Sequence, residues 1–260
     1  MIKFKMHDNR LTNKDKWEKV WAGIKLPHIQ TPDYDLQTKL KTFLPRIKTA
    51  SYSLIEIGCA PGGWMAYFNN HFGYRVSGIE YAENAAGATK QNMEMLEIDA
   101  DIIVDDFFSF DSNQNNYDVV FSAGFIEHFQ DLALVMEKIC ALSNRFVVTI
   151  VPNCYGVNAF ISKTIRPKVW AEHTPINVNM LDRLHTSCGI RTLFCDYVGG
   201  ARLIMPGVHN DYFAKHKYCS RAVNLPVQVF NHLSENIGRF FHFIPRTRLL
   251  SASILYIGCK

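Results

Sequence analysis

The sequence has no long hydrophobic run and no closely spaced pair of cysteines. No apolar stretch approaches the roughly 20 residues of a membrane-spanning helix, and the first ten residues lack the apolar segment of a signal peptide. The seven cysteines are odd in number and none occurs as C-x-x-C, which argues against a disulfide framework and a zinc site. We therefore expect free thiols and a cytoplasmic protein without a membrane span.

Excess charge and repetitive sequence are also missing. The formal net charge of +4 over 260 residues is too small to indicate nucleic-acid binding. No internal repeat or low-complexity tract interrupts the chain. The apolar fraction of 48% is typical of a soluble globular protein, and the length suits one domain with an insertion, or two small domains, with a sizeable core.

What the sequence does contain is an alternation of strand-like and helix-like segments. Continuous runs of Val, Ile, Leu and Phe alternate with amphipathic segments, as expected for buried parallel strands covered by helices on both faces. The pattern predicts an α/β fold with a doubly wound, seven-stranded, mostly parallel sheet, whose ligands bind at the carboxyl ends of the strands. The predicted strands are 52–57, 74–80, 101–104, 117–122, 145–151, 190–198 and 251–259, and the predicted helices between them are 62–72, 83–95, 131–142 and 178–188.

Additional segments flank this core. Residues 13–24 and 33–44 read as helices, so we expect an N-terminal helical cap over residues 1–48, a core over 49–200, an insertion over 201–249 and a last core strand within 250–260. Apolar residues recur at helical spacing inside the insertion and predict an amphipathic helix. Four roles stay open for it: packing on the domain, a substrate lid, a dimer face, or a membrane-surface helix. The apolar positions are Val227, Phe230, Leu233, Ile237, Phe240 and Ile244.

The most informative segment is IEIGCAPGGW, residues 55–64. A strand ends in a carboxylate and is followed by a glycine-rich turn, in which Gly58 lets the chain leave the strand and Gly62 lets the backbone approach a ligand. The spacing differs from the G-x-G-x-x-G of dinucleotide sites, and no Gly-Lys-Ser/Thr follows as in a Walker loop. Glu56 would repel a pyrophosphate and suits a ligand that carries an ammonium group.

Four segments in order resemble the motifs of class I S-adenosylmethionine (SAM)-dependent methyltransferases, over roughly residues 50–200 plus the final strand. They are EIGCAPG, the Glu80 that ends VSGIE, IIVDDFFSF and YDVVFSAGFIEHFQD. The resemblance implies SAM as the cofactor: its methionine part on the glycine loop, its ribose hydroxyls on Glu80, and its adenine beside Asp105 or Asp106 and Phe107. The implied cofactor site comprises Trp21, Glu56, Gly58, Cys59, Ala60, Gly62, Trp64, Glu80, Tyr81, Asp105, Asp106, Phe107, Ser122, Ala123, Gly124 and Glu127.

The segments around residues 127, 151–153 and 172–190 resemble the ubiquinone-type and related small-molecule branch of these enzymes. This resemblance implies a small-molecule or sugar (glycan) acceptor. We expect methylation of a hydroxyl oxygen, with nitrogen as the alternative. His128 is the first candidate for the catalytic base and His173 the second. We expect no metal. For Glu127 the resemblance leaves two roles open: binding a divalent metal, as in some relatives, or contacting only the cofactor or helix amides.

Other functions stay open at this point. The APGGW form of the first motif also resembles heat-shock-type RNA ribose 2′-O-methyltransferases, but Ser122, Ala123 and Gly124 stand where that family has its aspartate. A dinucleotide enzyme and a SAM-binding protein that transfers nothing are further alternatives. No nucleic-acid partner is expected, and a homodimer is left open.

Overall fold

The computed structural model describes residues 9–46, 52–110, 116–203, 217–241 and 246–260, and for residues 217–223 and 238–241 it describes the backbone alone. Seven strands and nine α-helices occur in this part of the chain. The strands are β1 (Ser53–Ile57), β2 (Arg75–Glu80), β3 (Ala100–Val104), β4 (Tyr117–Ala123), β5 (Ser143–Pro152), β6 (Arg191–Val198) and β7 (Ser253–Cys259). The helices are α1 (Lys14–Trp21), α2 (Tyr34–Phe43), α3 (Gly63–Phe72), α4 (Glu83–Met95), α5 (Leu132–Ala141), α6 (Val157–Ile165), α7 (Pro167–Trp170), α8 (Val178–Thr186) and α9 (Lys217–Phe241), and a short 3₁₀ helix spans Ile126–His128.

The seven strands form one sheet in the order β3-β2-β1-β4-β5-β7-β6. All neighbours are parallel except β7, which runs antiparallel to both β5 and β6. β1 pairs with β2 on one side and β4 on the other, so the strand order reverses there. A crevice therefore opens at the carboxyl ends of β1 and β4, the usual ligand site of such sheets. The predicted fold class is confirmed.

Two hydrophobic clusters cover the two faces of the sheet. Side chains alternate between faces along a strand, and in β4 Val119 and Phe121 join one cluster whereas Val120 joins the other. Residues of α2 and α3 pack in the first of these clusters, and residues of α5 pack in the second. The sheet is thus a rigid, covered platform from which the strand ends project.

The two N-terminal helices occupy different places. α2 buries Leu36 and Leu40 in the cluster that also holds α3, so it is part of the core. α1 buries no residue and lies against α4, with Trp17 and Trp21 packed on three buried alanines. Only α1 therefore extends over the crevice. α6 and α7, in the long segment after β5, were not predicted from the sequence.

The helix expected in the insertion is α9. It contains Pro226 and contacts α2, but three of the apolar positions used to predict it, Phe230, Leu233 and Ile237, are exposed. Of the positions used to predict it, Ile244 lies outside the described residues, as does the side chain of Phe240. Nowhere in the described ranges is a helix both long enough and apolar enough to cross a bilayer.

Candidate active site

The glycine loop after β1 is shaped by the elements around it. Gly58 has a φ of 72° and its N–H donates to the carbonyl of Ile79 at 2.9 Å, which ties the loop to β2. Gly62 has a φ of 87°, and a Cβ there would lie 2.8 Å from Cε of Met93 on α4. Only glycine fits both requirements, left-handed backbone and close approach. The loop is therefore held in one conformation before any ligand binds.

Asn92 of α4 joins the glycine loop to the N-terminal segment. Its buried amide group donates to the carbonyls of Pro61 at 2.9 Å and His28 at 2.8 Å, and its Oδ1 accepts from the His28 N–H at 2.7 Å. Gln30 N–H also donates to the carbonyl of Gly63 at 3.0 Å. Residues 28–30 thus form a second wall over the loop, although nothing in their own sequence indicates this.

A cleft with about 980 Å³ of empty space, part of it open to solvent, lies above the strand ends. Twelve of the predicted cofactor and catalytic residues line it: Trp21, Glu56, Gly58, Ala60, Trp64, Glu80, Tyr81, Asp105, Phe107, Ala123, Gly124 and His128. Six predicted residues do not line it: Cys59, Gly62, Asp106, Ser122, Glu127 and His173. Cys59 and Ser122 are buried, and a Cβ on Gly78 would meet the Cys59 sulfur at 2.5 Å, so Cys59 faces the core behind the loop.

Two carboxylates stand at the bottom of this cleft. Glu56 is buried, its Oε2 has no hydrogen-bond partner among the described residues, and burial raises its pKa well above the ordinary value. Glu80 is also buried, which raises its pKa, and its Oε1 accepts from the Ala82 N–H at 2.9 Å. A buried carboxylate oxygen without a partner is costly, so the free protein presents an acid whose ionised form a cationic ligand would stabilise.

The two adjacent aspartates after β3 separate in the structure. Asp105 is exposed and lines the cleft, next to the buried ring of Phe107. Asp106 instead forms an ion pair with Arg10 at 2.5 Å and accepts from the Phe108 N–H at 2.9 Å. Of the two candidates, Asp105 is thus the one placed to meet a ligand, and Asp106 holds the N-terminal segment.

Several lining residues were missed by the sequence reasoning, namely Arg10, Thr12, His28, Gln30, Phe125 and Phe129. Arg10 forms a β-bridge with Phe129, and its guanidinium stacks over the ring of Tyr81 at 5.1 Å. Trp17 and Trp21, which are spaced i, i+4 on one face of α1, both line the cleft. Arg10, Thr12, His28 and Gln30 carry no local sequence signal because long-range contacts bring them there, whereas Phe125 and Phe129 lie within the YDVVFSAGFIEHFQD segment.

At one wall of the cleft, His128 is packed against Trp17 and His173. The ring centroids are 5.0 Å apart for Trp17–His128 and 4.6 Å apart for His128–His173. Burial lowers the pKa of His128 to about 3 and also lowers that of His173. Next to them Glu127 is buried, and burial raises its pKa to about 8. His173 does not itself line the cleft but lies behind His128.

Comparison with known proteins adds to this geometry. Residues 54–144 match the family described as "Methyltransferase domain". No curated protein matches the sequence. The fold is similar to that of a SAM-dependent methyltransferase from Archaeoglobus fulgidus, at 15% identity and a TM-score of 0.55, covering 86% of this chain and 93% of that one.

Two further solved structures are similar along almost the whole chain. One is the cyclopropane synthase MmaA2 from Mycobacterium tuberculosis, at 13% identity and a TM-score of 0.57, covering 99% of both chains. The other is the geranyl diphosphate C-methyltransferase from Streptomyces coelicolor A3(2), solved with Mg²⁺, geranyl diphosphate and S-adenosyl-L-homocysteine, at 12% identity and a TM-score of 0.58, covering 95% of this chain and 97% of that one. At such identities the likeness shows the fold.

The domain match, the strand order and the glycine loop with its two acids agree with one another. Residues 54–144 match a methyltransferase domain and the sheet has the methyltransferase-like α/β topology, which supports a SAM-dependent methyltransferase with SAM as its cofactor.

Proposed function

We propose that the protein transfers the methyl group of SAM to a hydroxyl oxygen of a small-molecule or glycan acceptor. The observation that carries this proposal is the position of His128, a buried imidazole in the cleft wall beside the loop that follows β4. Methyl transfer from a sulfonium is an in-line displacement, for which the enzyme aligns the reactants and excludes water. An oxygen acceptor must also lose a proton, whereas a neutral amine needs only orientation.

The hydrogen bonding of His128 supports its role towards a hydroxyl. Its Nδ1 lies 2.8 Å from the carbonyl of Glu172, which assigns the proton to Nδ1 and leaves the lone pair on Nε2. A lone pair in the cleft wall can accept a hydrogen bond from an acceptor hydroxyl. His173, whose Nδ1 lies 2.6 Å from the carbonyl of Val169, supports the orientation of His128 from behind.

Within this proposal the cofactor is held by residues that the cleft already brings together. Glu56 accepts from the ammonium group of SAM, Glu80 from the ribose hydroxyls, and Asp105 with Phe107 contacts the adenine. Trp17 and Trp21 on α1 cover the site and exclude water. RNA ribose is a weaker candidate acceptor, because Ser122, Ala123 and Gly124 stand where the RNA ribose methyltransferases have their aspartate.

The experiment that tests the function uses SAM labelled with ¹³C in its methyl group. The purified protein and an extract of metabolites are incubated together, and the products are examined by proton–carbon correlated NMR, which separates O-methyl from N-methyl groups. New O-methyl signals that depend on the protein support the proposal. If only N-methyl signals appear, the protein is a nitrogen methyltransferase. If no labelled product forms, the protein binds SAM but transfers no methyl group.

A pair of histidine variants sharpens this test. His128→Ala is expected to lower the rate of label transfer by roughly a hundredfold, within the usual contribution of proton handling. His71→Ala, a substitution of an exposed histidine on α3, is the matched control and should leave the rate unchanged. Equal rates for both variants would remove His128 from the reaction.

A further inference from the structure

We propose that the exposed face of α9 binds an anionic membrane surface, with the helix lying flat among the lipid headgroups. α9 contacts α2 of the domain, and no described residue of α9 lines the cofactor cleft. Five large apolar side chains of this helix are exposed, with between 40% and 61% of their surface accessible to solvent. They form an apolar stripe that consists of Leu225, Val229, Phe230, Leu233 and Ile237.

The apolar stripe is continuous along the helix. Four of its residues follow one another at intervals of four positions, from Leu225 to Ile237, and Phe230 lies beside the middle of this row. Residues four positions apart are neighbours on one face of a helix. At a rise of 1.5 Å per residue the row is about 18 Å long. Scattered single apolar residues are normal on a protein surface, whereas a contiguous row of them indicates a contact surface.

The face of α9 that meets the domain is mostly polar, which reverses the orientation of an ordinary surface helix. Asn231 holds the helix this way, because its Oδ1 accepts from the Leu203 N–H and its Nδ2 donates to the Leu203 carbonyl, both at 2.8 Å. The apolar stripe is therefore fixed towards water, which is unfavourable unless another surface covers it. The half-buried residues on the inner face are Asn224, Val227, Asn231, Ser234 and Glu235.

The charge of this segment favours an anionic partner. Residues 213–248 contain six lysines and arginines and a single acid, Glu235, which gives a net charge of +5. Arg221 stands one turn before Leu225, and Arg239 follows Arg221 by 18 positions, about five complete turns. The two arginines thus occupy the same edge of the stripe. Basic residues at the edge of an apolar stripe are typical of helices that lie on anionic membranes.

A second copy of this chain is the other occupant that an apolar stripe suits, and the charge argues against it. Two-fold pairing through α9 would bring two segments of net charge +5 together, and like charges across an interface repel each other. An anionic lipid surface converts the same charge into attraction. The polar inner face of α9 would keep its contact with the domain while the stripe enters the headgroup region. This surface adds to the proposed function and is independent of the acceptor.

The test is sedimentation of the full-length, untagged protein with lipid vesicles. One set of vesicles contains phosphatidylcholine alone, and the other contains phosphatidylcholine mixed with the anionic lipid phosphatidylglycerol. The wild type is expected to bind the mixed vesicles at least about tenfold more tightly than the neutral ones. Binding should weaken as salt is added, because salt screens the attraction between basic residues and anionic headgroups.

A double variant tests the apolar stripe. Leu233→Gln combined with Ile237→Gln should weaken binding to the mixed vesicles at least about tenfold, because binding strength scales with the apolar area that enters the membrane. Met95→Gln combined with Leu134→Gln is the matched control, since both residues are large, apolar and exposed on other helices. The control is expected to bind as the wild type does.

A single variant tests the charge. Arg239→Gln is expected to weaken binding to the mixed vesicles about fivefold, the usual effect of one positive charge near an anionic surface. Lys90→Gln, an exposed position on α4, is the matched control and should leave binding unchanged. Titration calorimetry with S-adenosylhomocysteine (SAH) shows whether each variant is folded, because the stripe lies outside the cofactor cleft.

Three outcomes would overturn the proposal. They are a wild type that stays in solution with both kinds of vesicle, a stripe variant that binds the mixed vesicles as tightly as the wild type, and equal weakening in the control variants. Light scattering on the same samples detects the competing occupant: a dimer that Leu233→Gln with Ile237→Gln dissociates, without vesicle binding, would make the stripe a dimer face. If the double variant fails to bind SAH, Arg239→Gln and the salt dependence of the wild type decide the question.

Discussion

Glu56 and Glu80 face the same cleft from two neighbouring parallel strands, and the charge of Glu80 adds to the effect of burial on the pKa of Glu56. Two buried acids side by side are unfavourable in the free protein, since neither has a positively charged partner among the described residues. SAM carries an ammonium group and a ribose diol. Each of these groups can donate hydrogen bonds to one carboxylate. Under the proposed function, cofactor binding would relieve this unfavourable interaction between the two buried acids.

The burial of Glu56 should make the stability of the free protein depend on pH. Above the ordinary glutamate pKa of 4.5, the unfolded chain holds fewer protons at this position than the folded protein, whose Glu56 pKa is raised. Glu56 therefore lowers the stability of the free protein as the pH rises from 4.5 towards its folded pKa. Glu56→Gln is expected to raise the melting temperature of the free protein, by an amount that grows over this range, measured by scanning calorimetry at several pH values.

The same variant should lose cofactor affinity. A hydrogen bond to a charged group contributes roughly 1.5–3 kcal/mol, so SAH binding should weaken about tenfold or more at pH 8. The wild-type affinity is expected to fall as the pH falls, because binding favours the ionised form of Glu56, and the variant should show a smaller decline. A variant that binds SAH as the wild type does would separate Glu56 from the ammonium site.

Glu80→Ala tests the ribose contact. The variant is expected to bind SAH at least about tenfold more weakly by titration calorimetry, roughly the contribution of a bidentate charged contact. Glu83→Ala is the matched control, because Glu83 lies three residues further on, is exposed, and pairs with Lys14. Comparable losses in the two variants would point to general damage at the start of α4.

Two glycines in contrasting surroundings test the packing of the loop. A Cβ on Gly63 would lie 2.6 Å from Cδ2 of His28 at the cleft wall, whereas Gly87, within α4, has nothing within 4 Å. Gly63→Ala should displace residues 28–30 and weaken SAH binding severalfold. Gly87→Ala should leave binding unchanged and raise the free energy of unfolding by about 0.5–1 kcal/mol. Chemical denaturation together with calorimetry measures both.

Asn92→Ala should affect stability and cofactor binding together. It removes three hydrogen bonds and leaves backbone groups of His28 and Pro61 without partners, which we expect to cost about 2–4 kcal/mol in the free energy of unfolding. Asn69→Ala, which removes a single bond to the Tyr74 carbonyl away from the cleft, should cost about 1 kcal/mol and spare SAH affinity. If both variants bind SAH equally well, the 28–30 segment takes no part in the site.

The alternation of apolar strands with amphipathic helices was enough to predict the seven-stranded sheet, because burial on both faces makes each strand a continuous apolar run. The helix predicted at 83–95 is α4 with the same bounds. The glycine loop was equally readable, since few backbones need glycine at both Gly58 and Gly62. These features depend on residues that follow one another in the chain, so they can be predicted from the sequence.

What the sequence by itself determined is therefore the fold, through short-range periodicity, and the glycine loop with its two acids, through residues that only one local geometry can use. The cofactor class followed from the resemblance of these motifs to a known family. The tertiary structure decided the rest. It placed Asp106 on Arg10 rather than in the cleft, carried His28 to the loop through Asn92, and brought His173 to within ring contact of His128. Such contacts join residues far apart in the chain, and their positions depend on how the packed elements meet rather than on any neighbouring residue.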